Sequence, residues 1–132
     1  MKKLLLLSVM LLAMPSGALF AQDAGDALSA ECGQCLENSG GVTSAMIGCL
    51  QTEYDKQDAR LNAAYKQVRG QISGGQAKKL QTAQRAWLQY RDAYQDYFND
   101  PDGGSMARVE AIDWLARSTA AQAKILESIV PF

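Results

Sequence analysis

Cys32 and Cys35 stand in the sequence Cys-Gly-Gln-Cys, with Cys49 a short way further on. Thiols at these spacings could serve disulfide exchange, metal binding or a structural crosslink. The CxxC spacing suits a redox dithiol, but that chemistry wants a strand-helix-strand setting, and the surrounding sequence offers none. A zinc site built on three thiolates needs a fourth ligand, and the chain contains no histidine. The same absence removes Ser-His-Asp and Cys-His activation of a nucleophile. The remaining acids and hydroxyls show no arrangement of nucleophile, base and oxyanion donor, so neither catalysis nor a cofactor is expected.

A second group of polar residues is unusual for its company. In the stretch AQRAWLQYRDA, residues 83–93, Gln84 and Arg91 share a helical face with Trp87 and Leu88. Upstream, Asp58, Leu61, Asn62 and Tyr65 repeat the pattern at i, i+3, i+4 and i+7. A charge buried without a partner costs several kcal/mol, on the order of a domain's whole stability margin. The two sets are therefore expected to meet, with Asp58 and Arg91 as an ion pair, Asn62 and Gln84 filling the other hydrogen-bond positions, and the Trp87 indole covering the group. Such a network fixes helix register; the sharper alternative makes Arg91 or Asp92 part of a ligand cleft. Arg85 and Asp92 fall off the centre of the stripe and read as a solvated or rim pair.

The elements that must carry these residues are helices. From Thr43, an expected N-cap, Met46, Leu50, Tyr54, Leu61, Tyr65 and Val68 keep three-and-four spacing up to Gly70. Gly74-Gly75 is expected to break the chain. Leu80, Ala83, Trp87, Tyr90, Tyr94 and Phe98 then mark a second helix ending at the turn Asn99-Asp100-Pro101-Asp102-Gly103-Gly104. Ser105 is expected to cap a third, with Val109, Ile112, Ala116, Thr119, Ala123 and Leu126 on its apolar face before Pro131. No segment alternates as a strand would. The expected fold is all-α, a small antiparallel bundle of three long helices, to which a short helical piece around Cys32–Glu37 can add a fourth element.

Residues 1–21, beginning MKKLLLLSVMLLAM, combine two lysines, a short apolar run and small residues at the end, the pattern of a secretory signal peptide. The run is too short to remain as an anchor, since spanning takes about 20 apolar residues. Residues 22–31 are small, acidic and weakly patterned, and are expected to be a flexible mature N-terminus, with a single domain over 32–132. The chain has 13 Lys and Arg against 14 Asp and Glu. Loss of a leader that holds Lys2, Lys3 and no acid leaves a remainder of net charge −3. That balance argues against nucleic acid and favours a cationic partner.

The residues quoted so far fall into an order that resembles a known family, the secreted domain named after the lysozyme inhibitor LprI. Its helix C-x4-Y-x3-D-x2-LN-x2-Y is matched by Cys49, Tyr54, Asp58, Leu61-Asn62 and Tyr65. Its AQR-x-W-x2-YRDA helix is matched from Ala83 to Ala93, its GG turn by Gly103-Gly104, and the Thr of its last helix by Thr119. The likeness runs from about Cys35 to Glu127. It implies an exported all-helical domain and, for the best-known member, inhibition of lysozyme. Family members often carry a further cysteine just after the RDA and another in the last helix; here Gln95 and Trp114 occupy those positions. A bridge closing about 20 residues would contribute roughly 3 kcal/mol, so the last helix must be held by packing, with Trp114 as the substitute.

The resemblance also pairs Cys35 with Cys49. Cys32 is left over, as a free or capped thiol or as a bridge to a second chain in a disulfide-linked dimer. The resemblance implies protein binding, with a cationic lysozyme as the partner; the acidic turn Asn99–Gly104 with Asp96 beside it then offers Asp96, Asp100 and Asp102 as candidate contacts, and an envelope interaction or immunity-like module with another partner is the alternative.

Overall fold

The computed structural model describes residues 28–129. The expected leader, residues 22–27 of the expected flexible segment, and Pro131 lie outside them. Four helices account for most of the described chain: α1 (Ala30–Asn38), α2 (Thr43–Gln71), α3 (Gly74–Phe98) and α4 (Gly104–Ser128), with no strand among the described residues. The fold is all-α, and the short fourth element is present as α1.

Side-chain capping explains where two helices start. Ser29 accepts from the Cys32 N–H at the head of α1, and Ser73 accepts from the Gln76 N–H at the head of α3. Gly74 and Gly75 therefore open α3 instead of breaking the chain; the break falls at Ile72, whose backbone is extended. Thr43 and Ser105 are not caps. Val42 and Gly103 hold those positions, and neither makes a side-chain capping bond. The α3–α4 turn needs both of its glycines. A Cβ on Gly103 would lie 2.7 Å from the Cβ of Ala107, and Gly104 has φ +67°, a conformation that costs a side-chain-bearing residue about 1–2 kcal/mol.

α2 packs most extensively on α4, α3 packs on α4, and α1 packs on α2. Consecutive helices are antiparallel, so α2 and α4 run side by side in the same direction: Leu50 shares a cluster with Val109, Ile112 and Leu115, and further along Leu61 and Ala64 share one with Ala123 and Leu126. The buried face of α4 is rich in small residues, Ala111, Ala116, Ala120 and Ala123, which lets the two backbones approach closely. Thr119 lies fully buried on the same face, and its hydroxyl has no hydrogen-bond partner among the described residues.

A disulfide between Cys35 and Cys49, with Cα atoms 5.7 Å apart, fastens α1 to α2. Cys32 is a free thiol, 4% exposed, in the cluster with Leu50, Val109, Ile112 and Leu115. That position removes it from bridging to a second chain while the fold is intact. Leu28 packs on the same cluster, and Ser29 and Glu31 are fixed by hydrogen bonds to α2. Order thus begins at least four residues before the expected start at Cys32, because α1 needs its cap.

Candidate functional site

The polar residues expected to form one network are divided among three places. Asp58 accepts a hydrogen bond from Asn62 of its own helix at 3.0 Å, on a solvent-facing part of α2. Gln84 is buried on α3, and its side-chain oxygen accepts from Gln122 of α4 at 3.0 Å. Arg91 is also buried, but its guanidinium bonds Asp92 beside it on α3 and lies 5.2 Å from the Trp87 ring centroid and 5.8 Å from that of Tyr54. The Asp58–Arg91 ion pair does not form. α2 and α3 are held apart by their shared packing on α4, and the cation is satisfied by two ring faces and a neighbouring carboxylate. Asp58, Asn62, Gln84 and Arg85 do line one shallow groove between α2 and α3, of about 230 Å³, with Leu61, Tyr65, Gln81 and Leu88.

The buried polar group that α2 actually carries is one helical step round. Glu53 is 3% exposed; its carboxylate accepts from the Ser29 N–H at 2.8 Å, the Ser29 hydroxyl and the Gln57 amide at 2.8 Å. Gln57 in turn accepts from Arg60, which holds Glu127 at the end of α4. Burial acts to raise the Glu53 pKa, but the hydrogen bonds from Ser29 and Gln57, with Lys56 nearby, leave it below the usual glutamate value. Near it, the Cys32 thiol is pushed up, first by burial and then by the Glu53 charge, so it stays protonated and a poor nucleophile. Helical spacing offered a sign of this group. The true buried stripe of α2 is Leu50, Glu53, Gln57, Leu61, Ala64 and Val68, which keeps three-and-four spacing throughout.

The candidate partner contacts lie elsewhere, at the far end of α3 and the turn after it. Asp96, Asp100 and Asp102 are all exposed, and the Asp100 carboxylate accepts from the Asp102 N–H at 2.9 Å, which shapes the turn from within. Tyr90 and Tyr94, expected on the buried stripe, are 51% and 42% exposed, and Tyr97 is 74% exposed. Behind them stands Trp114 of α4. Its indole N–H donates to the Arg91 carbonyl at 2.9 Å, and its ring meets Tyr90, Tyr94 and Phe98 at centroid distances of 5.9, 5.0 and 5.7 Å. Trp114 therefore joins α3 to α4 by packing.

None of these places brings a nucleophile to a base. Among the described residues no group of three or more His, Cys, Asp or Glu could hold a metal ion, and no helix is long and apolar enough to cross a membrane. What the described residues do present is surface chemistry, an acidic and aromatic end on a helical bundle. A family model described as lysozyme inhibitor LprI matches residues 35–126. The chain matches no curated protein and no solved structure.

Proposed function

The chain belongs to the lysozyme inhibitor LprI family, and from that membership we propose that it is an exported protein that inhibits a lysozyme by binding it. The match over residues 35–126, almost all of the helical domain, is the observation that carries this reading. Its chemistry suits a binder: lysozymes are cationic and work through a pair of carboxylates in a cleft, so an inhibitor gains from negative charge at the encounter and from side chains that cover the cleft. Asp100 and Asp102 supply such charge on an exposed turn, with Asp96 exposed in the last turn of α3 beside it. Export rests on the leader read in residues 1–21 and places the protein in the periplasm or outside the cell.

A second reading keeps the fold and changes the partner. Many residues that carry the family resemblance, among them Leu61, Gln84, Arg91 and Thr119, are buried and hold the bundle together. A family pattern made of core residues is compatible with an envelope interaction or immunity-like module that has a different partner. Lysis of peptidoglycan by a panel of lysozymes, with and without the mature protein, separates the two. Dose-dependent protection against at least one of them is expected; unchanged lysis across the panel would favour the second reading.

A further inference from the structure

Most exposed apolar residues on a soluble protein are scattered, and a contiguous group calls for an explanation. On α3, Tyr90, Tyr94 and Tyr97 lie at i, i+4 and i+7, on one face of the helix, and all three are exposed. Their rings are in sequence contact, Tyr90 to Tyr94 at 4.9 Å and Tyr94 to Tyr97 at 6.4 Å, and the row continues onto α4 through Trp114. Tyr90 and Tyr94 rest one edge on Trp114 and leave the rest of the ring to solvent, and Tyr97 makes no contact with α4 rings at all; the buried residues of α3 are Gln84 and Arg91, on the side that faces α4 and α2.

The row is also stiff. Trp114 is fixed by its bond to the Arg91 carbonyl, and each tyrosine leans on a neighbouring ring. Tyrosines held in this way offer contact area at a low cost in ordering, which is why such residues dominate binding hot spots. Past Arg91, which holds Asp92, their surroundings are acidic. From Asp92 to Ala107 the chain has four aspartates and neither lysine nor arginine, and the C-terminal end of α3 adds the negative pole of its helix. A second copy of this chain would bring two such acidic ends together, which like-charge repulsion opposes. A basic surface would place its guanidinium and ammonium groups over the tyrosine faces and against the aspartates.

We propose that Tyr90, Tyr94 and Tyr97 are the docking core for a cationic protein, with Asp96, Asp100 and Asp102 as its charged rim. The proposal rests on the inhibitor reading and supplies the surface that reading lacks. Tyr97→Ala is the decisive variant, because that side chain is the most exposed and makes no ring contact with Trp114. Calorimetric Kd values for a cationic lysozyme are expected to rise about 30-fold for Tyr97→Ala combined with Tyr90→Ala, and by about tenfold for Tyr97→Ala alone, with the melting temperature of Tyr97→Ala unchanged. Ile125→Ala, on exposed surface near the other end of α4, should leave Kd unchanged. Tyrosine nitration of the parent provides a readout free of any folding defect: the three rings should be protected in the complex.

A parent that binds, with Kd for Tyr97→Ala within about twofold and unprotected rings, would overturn the docking core and leave the inhibitor reading standing. A parent that binds none of the cationic lysozymes would overturn both. A dimer of the parent that Tyr97→Ala disperses would assign the row to a second copy and overturn the cationic partner.

Discussion

At the scale of single residues, Glu53 shows how a buried charge can be kept. Three donors, two from Ser29 and one from Gln57, surround its carboxylate, and together they hold its pKa down although burial alone would raise it. A carboxylate whose folded pKa lies below its unfolded value adds stability that is present above the unfolded pKa and lost as pH falls through the folded one. Glu53 should therefore contribute fully at neutral pH and weaken the fold on acidification below about 4.5. Glu53→Gln keeps one acceptor oxygen for the Ser29 N–H and the Gln57 amide, loses the charge and sets an NH2 against the Ser29 hydroxyl, and is expected to cost about 1–3 kcal/mol at pH 7. Denaturant titrations at several pH values should show the gap between parent and variant closing below pH 4. A constant gap from pH 7 to pH 3 would mean that Glu53 has the same pKa folded and unfolded and that its ionisation adds nothing to stability.

At the scale of elements, α2 and α4 form the core, and α3 is the helix with the least of its own. Its buried side chains are polar, and its apolar contacts come from the partly buried Leu80 and Trp87 and from Tyr90, Tyr94 and Phe98 against Trp114, so its hold on α4 depends on Trp114. The Arg91 carbonyl lies within a regular helix, so losing the indole donor forfeits the net worth of one bond, about 1 kcal/mol, without orphaning an acceptor. Trp114→Phe is expected to speed amide exchange in the C-terminal half of α3 roughly fivefold, with little change in α2. Equal acceleration in both helices would show that α3 opens only with the whole bundle. The helices and their period were legible in the sequence, because Leu50, Leu61, Val68, Ile112, Ala123 and Leu126 all fall on the faces their spacing predicts. The facing of α3 was not. Periodicity places aromatic residues inward and cannot register that Tyr90 and Tyr94 lie past the edge of a narrow contact, or that the α4 residue opposite Gln84 is Gln122. The expected Asp58–Arg91 pair failed for the same reason, since helical phase fixes a face but not the distance between two helices.

At the scale of the whole molecule, the uneven charge decides how a partner would arrive. The acidic turn is exposed, sits beyond the packed helices, and keeps its shape through the Asp100–Asp102 contact. Charges so placed act over roughly a Debye length, about 8 Å at physiological ionic strength, and so govern encounter more than the final grip. If the protein binds a cationic lysozyme, its association rate should fall steeply as salt rises, while dissociation, set by the tyrosine row, should hardly change. Replacing Asp96, Asp100 and Asp102 together with Asn is expected to slow association about tenfold at low salt and to converge with the parent near 1 M, where the Debye length is about 3 Å. The melting temperature should stay put, because an amide oxygen at position 100 can still accept from the Asp102 backbone N–H. Stopped-flow association at three or four salt concentrations measures this directly. Equal rates for the triple variant and the parent at every salt concentration would take the acidic turn out of the mechanism and leave the aromatic surface to act alone.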